Sequence, residues 1–228
     1  MSRSRIVGAI ALITLVAITL VVSRARSWFL PGGSDWIQGI DVSHHQGPID
    51  WGAVGSDGVR FAWIKATEGG DWRDPRFAGN WRAAAEAGVP RGAYHFFTLC
   101  RPAAEQAAWF LSVAPAGELP AAVDLEFDGN CAARPDPATL AADLGLFLDT
   151  VERARGRRPV VYVTGEVFRE HADALRGETL WVRSIFHPVR WGVWAPARVW
   201  QYSAMGRVEG IQGDVDRNAI RRGAWPLD

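Results

Sequence analysis

From Trp36 onward the chain alternates short runs of β-branched and aromatic residues with segments of helical period. No self-similarity recurs at the roughly 20- to 50-residue spacing of repeat proteins. The runs Ile37 to Val42, Phe61 to Ala66, Gly92 to Phe96, Ala121 to Glu126, Val160 to Val163, Leu180 to Val182 and Val199 to Tyr202, with a brief one at Val215-Asp216, predict eight strands. Between them a helix is predicted from Asp74 to Ala87, where Phe77, Trp81 and Ala84 share a face and Gly88 supplies the stop. Another runs from Asp136 to about Arg155, with Asp136 as N-cap, Pro137 in the first helical position, and Leu140, Leu144, Phe147 and Val151 at helical spacing. Repeated strand–helix units predict an α/β fold on a parallel sheet, and eight strands fit a closed barrel. The last third is rich in Trp and poor in helix, so the expectation is a single irregular TIM-like (β/α) barrel with some helices missing there.

Ahead of the barrel the pattern changes. Met1 to Arg5 is basic, Ile6 to Val22 carries no charge, and Arg24 and Arg26 follow. At about 1.5 Å per residue the apolar run is roughly 26 Å long, enough for a thin bilayer and rather long for a signal-peptide core. It offers no polar face to solvent, which argues against a buried helix of the domain. Residues 1–26 are therefore expected to be a membrane anchor or signal segment. Residues 27–35, with Pro31-Gly32-Gly33-Ser34, form a linker, and residues 36–228 form the barrel domain. That places the domain outside the membrane, either anchored and facing outward or exported.

Composition narrows the function. With 228 residues, 48% apolar and 22% charged, the chain is an ordinary globular protein. Four of its 25 basic residues, Arg3, Arg5, Arg24 and Arg26, precede Asp35, the first acidic residue, which leaves 21 against 25 acidic beyond them. Nucleic acid is not an expected partner. Cys100 and Cys131 fit no zinc pattern. In an exported domain they could close one disulfide loop of about 30 residues, and two buried free thiols are the alternative.

In a barrel of this kind the chemistry lies at the C-terminal ends of the strands. In Ala121-Ala-Val-Asp124-Leu-Glu126, alternation puts Val123 and Leu125 towards the helices and aims Asp124 and Glu126 together into the mouth. Asp41 ends the first strand and Asp216 the last, so three strand ends bring acids to one place. Like charges gathered this way are costly and persist mainly where function needs them.

Gly39-Ile-Asp41-Val-Ser-His-His-Gln46-Gly47 and Lys65-Ala-Thr-Glu68-Gly69 resemble the paired signature of glycoside hydrolase family 25, the lysozyme-type muramidases. Tyr94-His95-Phe96, Asp124-Leu-Glu126, Trp200-Gln201-Tyr202-Ser203 and Val215-Asp216 fall in that family's order, so the resemblance spans about Ile37 to Asn218. It implies a modified (β/α) barrel that cleaves the β-1,4 bond between N-acetylmuramic acid and N-acetylglucosamine in peptidoglycan, without cofactor or metal and as a monomer. By position, Glu126 matches the proton donor, Asp124 and Asp41 the assisting carboxylates, and Asp216 the final acid of the cleft. Trp63 and Trp72 stand where the family more often has smaller residues, and Trp181-Val-Arg183 replaces a more usual apolar strand end. These departures bear on sugar subsites more than on the acid pair.

Glycoside cleavage needs an acid to protonate the leaving oxygen and a negative group to stabilise the oxocarbenium-like state. Glu126 beside an ionised Asp124 would hold its proton through like-charge repulsion. Asp124 lies on the same strand and the same side of the bond, so attack by the substrate's own 2-acetamido group, with retention, is the expected route. Tyr94, Tyr162, Trp200 and Gln201 are candidates to stack on or hydrogen-bond the sugars. Lys65, the only lysine, should share the inward face with Trp63 and Thr67 and pair with Asp41 or Glu68. Two rival readings are a metal-dependent deacetylase or amidase using Asp41, His44, His45 and His95, and a barrel that binds wall glycan without cleaving it. Adjacent His44 and His45 would point apart on an extended strand, which weakens the first.

Overall fold

A computed structural model describes Pro31, residues 35–185, residues 197–225 and Leu227. The apolar run Ile6 to Val22 lies outside the described residues, and among those described no helix is long and apolar enough to cross a membrane. The strands are β1 (Trp36–Val42), β2 (Ala62–Glu68), the two-residue β3 (Trp72–Arg73), β4 (Arg91–Phe96), β5 (Ala122–Leu125), β6 (Val160–Val163), β7 (Leu180–Arg183), β8 (Val199–Gly206) and β9 (Val215–Arg221). The described helices are α1 (Trp51–Ser56), α2 (Phe77–Glu86), α3 (Ala103–Val113), α4 (Pro137–Arg155) and α5 (Gly165–His171).

Eight strands close a barrel in the order β1-β9-β8-β7-β6-β5-β4-β2, sealed by the β1–β2 pairing. The ninth, β3, only turns back on β2. The parallel expectation holds from β1 round to β8, and β9 breaks it by running antiparallel to both β8 and β1. The connection from β8 to β9 is a short turn with Gly210 and Gly213 at φ 90° and 93°, and no crossover helix brings the chain back to the starting end. The strand is also longer than Val215-Asp216, because Arg217 and Asn218 hide it from a hydrophobic pattern.

The predicted helices form where their caps put them. Asp136 accepts hydrogen bonds from the N–H groups of Ala138 and Thr139 at 3.0 and 3.1 Å, and Gly156 at φ 73° ends α4. The other helix, α2, starts three residues later than expected. The buried Asp74 carboxylate accepts instead from the Arg76 N–H at 2.8 Å and from the His44 backbone N–H at 2.8 Å.

Two cores follow from strand alternation. Val123, Leu125, Val161, Val163 and Val182 point outward and are fully buried against Phe110, Leu144 and Phe147 of α3 and α4. Inside the barrel, Phe61, Trp63, Tyr94, Tyr162, Trp181 and Ile220 pack together. The Trp63 and Trp181 rings stack at 4.6 Å, and the Trp63 indole N–H donates to the Pro120 carbonyl at 3.1 Å. Trp63 is therefore barrel floor and not a sugar subsite. Gly92 makes room for it, since a Cβ there would lie 2.5 Å from the indole nitrogen.

One inward assignment fails. The β2–β4 register shifts between Lys65 and Thr67, and this irregularity sends Thr67 outward with His95. Gln106 donates its amide N–H groups to the Thr98 and Arg101 carbonyls, so its oxygen must accept from His95 Nε2 at 3.1 Å. His95 Nδ1 then accepts the Thr67 hydroxyl proton at 2.8 Å. Burial pushes His95 down to about 4, so the ring is neutral and structural. Cys100 and Cys131 form a disulfide, with Cα atoms 6.3 Å apart, between the loops that follow β4 and β5.

Candidate active site

The C-terminal ends of the parallel strands surround a cavity of about 510 Å³. Asp41, Asp124, Glu126, Asp216, Lys65, Glu68, Tyr94, Tyr162 and Gln201 all line it. Trp200 does not. With Gln201 facing inward, Trp200 must face outward, and it packs edge-on against Trp36 and Tyr202 with its N–H on the Ser184 carbonyl at 2.7 Å.

β9 delivers Asp216 to the mouth because it runs backwards, so the residue stands near the strand's beginning and not at its end. In the antiparallel ladder Asp216 is directly opposite Asp41. Under them lies a directed chain of hydrogen bonds. The Trp181 indole can only donate, and it donates to Asn218 Oδ1 at 2.8 Å, which turns the Asn218 amide nitrogen onto Asp41 Oδ2 at 2.7 Å. From the other side the Tyr162 hydroxyl donates to Gln201 Oε1 at 3.0 Å, which turns Gln201 Nε2 onto the same Asp41 oxygen at 3.0 Å. Asp124 is different: its Oδ1 is buried with no hydrogen-bond partner. Lys65 Nζ is bound to Glu68 at 2.7 Å and lies over the rings of Phe96 and Trp72.

Burial dominates the electrostatics. Glu126 is pushed up to about 7 by loss of solvent, against the pull of Arg183, with Asp128 and Asp216 adding repulsion. The expected repulsion from an ionised Asp124 is not the leading cause, because Asp124 is itself raised well above the usual carboxylate range by burial and then by Glu126. Asp216 rises to about 8 through burial and the facing Asp41. Asp41 rises only to about 6, since the amides of Asn218 and Gln201 favour its charged form against burial. Near neutral pH this cluster retains protons, and Asp41 is the readiest of Asp41, Glu126 and Asp216 to ionise.

The metal reading loses its ligand set. His95 is in the helix layer, and His44 is held by Asp74 at 3.0 Å. His44 and His45 occupy a tight turn capped by Ser43 and Gln46, rather than an extended strand. No group of three or more potential metal ligands is found among the described residues.

A family model for the glycosyl hydrolases of family 25 matches residues 40–211. The chain belongs to glycoside hydrolase family 25. It is 37% identical over 216 residues to lysozyme M1 of Streptomyces globisporus, covering 86% of this chain and 72% of that protein. Among solved structures, a family 25 glycosyl hydrolase from Bacillus anthracis superposes with a TM-score of 0.76 at 29% identity, covering 83% of this chain and 91% of the other. A lysozyme from Streptomyces coelicolor gives 0.71 at 35% identity, over 81% of this chain and 91% of that one.

In this family 25 barrel Arg183, Asp128 and Gly129 also line the cavity, and Asn218 lies beneath it against Asp41. Arg183 follows the same alternation that exposed the acid pair: Leu180 and Val182 face the helices, so Trp181 and Arg183 face in. Asn218 was hidden by the short reading of β9. Asp128 and Gly129 lie in the loop after β5, where no periodicity could place them.

The raised Asp216 has a thermodynamic consequence. Its folded value of about 8 exceeds the ordinary carboxylate value, so the folded protein binds the proton more tightly and loses stability as pH rises from about 4 through 8. Asp216→Asn should therefore melt a few degrees above wild type at pH 8 and level with it at pH 4. Equal melting at both pH values would remove Asp216 from the buried cluster.

Proposed function

We infer that the protein is a muramidase that cleaves the β-1,4 bond between N-acetylmuramic acid and N-acetylglucosamine in peptidoglycan. The observation that carries this reading is the pairing, in one cavity, of a carboxyl that keeps its proton near neutral pH with a second carboxyl two residues away whose oxygen is buried and unpartnered. Membership in family 25 and the likeness to lysozyme M1 support it.

Glu126 donates its proton to the leaving glycosidic oxygen. The Asp124 carboxylate, on the side that lines the cavity, accepts the N–H of the substrate's 2-acetamido group, whose carbonyl oxygen attacks the anomeric carbon as the bond breaks. A donor arriving there favours the ionised form of Asp124, and that negative charge keeps the transferable proton on Glu126. Asp41, the readiest of the cluster to ionise, supplies negative potential to the cleft beside the proton-holding Asp216, while Tyr94, Tyr162 and Gln201 line the sugar path.

Ahead of the domain, residues 1–26 act as a membrane anchor and residues 27–35 as its tether, so the enzyme works at the outer face of the membrane, against the wall. The uncharged run bracketed by arginines supports this assignment. Full-length chain should remain in the membrane fraction after a high-salt wash. Release of a shortened chain to the medium would make the segment a cleaved signal.

Glu126→Gln retains shape but has no transferable proton, so lysis of a cell-wall suspension should fall by roughly 10²- to 10⁴-fold with the fold intact. Wild-type lysis should be indifferent to chelator. A folded Gln variant that lyses like wild type would remove Glu126 as the acid, and a wild type that binds walls without lysing them would make the barrel a binding module. For the stereochemistry, NMR of the first product from a defined glycan should show the β-anomer. An initial α-anomer would overturn retention, and a trapped glycosyl ester on Asp124 or Asp41 would overturn the acetamido route alone.

A further inference from the structure

Six carboxylates face the cavity, those of Asp41, Glu68, Asp124, Glu126, Asp128 and Asp216. Among the described residues that line it, two are permanent cations, Lys65 and Arg183, and they are not equivalent. Lys65 is committed, bound to Glu68 and enclosed by two aromatic rings. Arg183, half-buried at the end of β7, makes no hydrogen bond or ion pair among the described residues. Its backbone is fixed in the barrel, paired with Gln201 of β8. A guanidinium that enters the cavity from a fixed strand, with no partner for its donors among the described residues, matches one chemical class of ligand above others, a planar carboxylate that accepts two parallel N–H bonds.

The substrate of a muramidase supplies such a group on one sugar of each pair. N-acetylmuramic acid carries a lactyl arm that ends either in a free carboxylate or in a peptide stem with its own carboxylates, while N-acetylglucosamine carries none. We propose that Arg183 binds a carboxylate of the muramic acid arm and thereby sets which sugar lies on the β7 side of the scissile bond. The inference rests on the muramidase reading. It also answers a difficulty within that reading, because an anionic glycan must approach a cavity lined by six acids. A neutral sugar placed against Arg183 would leave the guanidinium without a partner, whereas an acidic arm gives it one and offsets repulsion from Asp41, the readiest of the cluster to ionise. Arg183 also opposes proton retention on Asp41, Glu126 and Asp216, which shows that its charge reaches the reacting groups.

The test uses the full chain and three forms of one N-acetylglucosamine–N-acetylmuramic acid oligomer. One has the free lactyl acid, one has a lactyl–dipeptide with a free carboxylate, and one is the neutral lactyl amide. Wild type should cleave at least one acidic form with kcat/KM about 10- to 100-fold above the amide, chiefly through KM. Whichever acid is preferred identifies the source of the carboxylate. Arg183→Gln should erase that preference, and Arg183→Lys should keep part of it as a point charge. No preference in wild type, or a preference that survives in folded Arg183→Gln, overturns the inference while leaving the muramidase reading intact. Failure of wild type to cleave any of the three overturns both.

Discussion

The rings that fill the barrel from below set the conditions for everything at its mouth. Trp63 and Trp181 stack across the interior, with Phe61 beneath them and the Tyr162 ring edge-on to Trp181. This plug denies water to the undersides of Asp41 and Asp124, and loss of solvent is the first cause of the raised values of both. The plug depends in turn on missing side chains. Gly39 and Gly92 sit where any Cβ would strike the Phe61 ring or the Trp63 indole. Either glycine replaced by alanine would push against the floor that desolvates the acids.

The same floor is polar at one point. Trp181 presents an N–H upward, and because an indole cannot accept, it fixes the Asn218 amide and through it one side of Asp41. That contact requires Asn218 to face inward near the mouth, which only a reversed last strand allows. Running β9 antiparallel places Asp216 across from Asp41 and Asn218 one inward step below. A parallel eighth strand of the same sequence would carry Asp216 and Asn218 to the opposite end. The reversal thus creates both the repulsion between two acids and the amide that tempers it.

Alternation along strands was the most legible feature, and it located Asp41, Asp124, Glu126 and Lys65 correctly from sequence. The same parity puts Trp200 on the outer face, because Gln201 beside it points in, and it puts Arg183 with Trp181 in the cleft, because Val182 between them faces the helices. Thr67 could not have been placed this way, because a β-irregularity changes parity without leaving a hydrophobic signal. The reversed direction of β9 was equally hidden, since pairing direction follows from the length of a connection whose end the polar start of β9 obscured. Where burial rather than charge proximity controls a proton, as at Glu126, sequence supplies only the neighbours and not the solvent they exclude.

Glu126 occupies a weaker position than its partner. β5 ends at Leu125, so Asp124 is held by the ladder to β4 and β6, while Glu126 lies one residue beyond it. Its backbone is fixed instead by Asn130, whose amide nitrogen donates to the carbonyls of Glu126 at 3.0 Å and Phe97 at 2.8 Å. The Asn130 oxygen accepts from the N–H groups of Leu99 and Cys131, both at 2.9 Å, so one side chain joins the loops after β4 and β5. The Cys100–Cys131 disulfide closes the same junction covalently. A general acid must be placed to within a fraction of an ångström of the oxygen it protonates, and a residue past the end of its strand lacks the ladder that would hold it so. The disulfide and Asn130 supply that constraint from the loop side, so under the proposed role of Glu126 as proton donor the pair of cysteines bears on the placement of the acid as well as on stability.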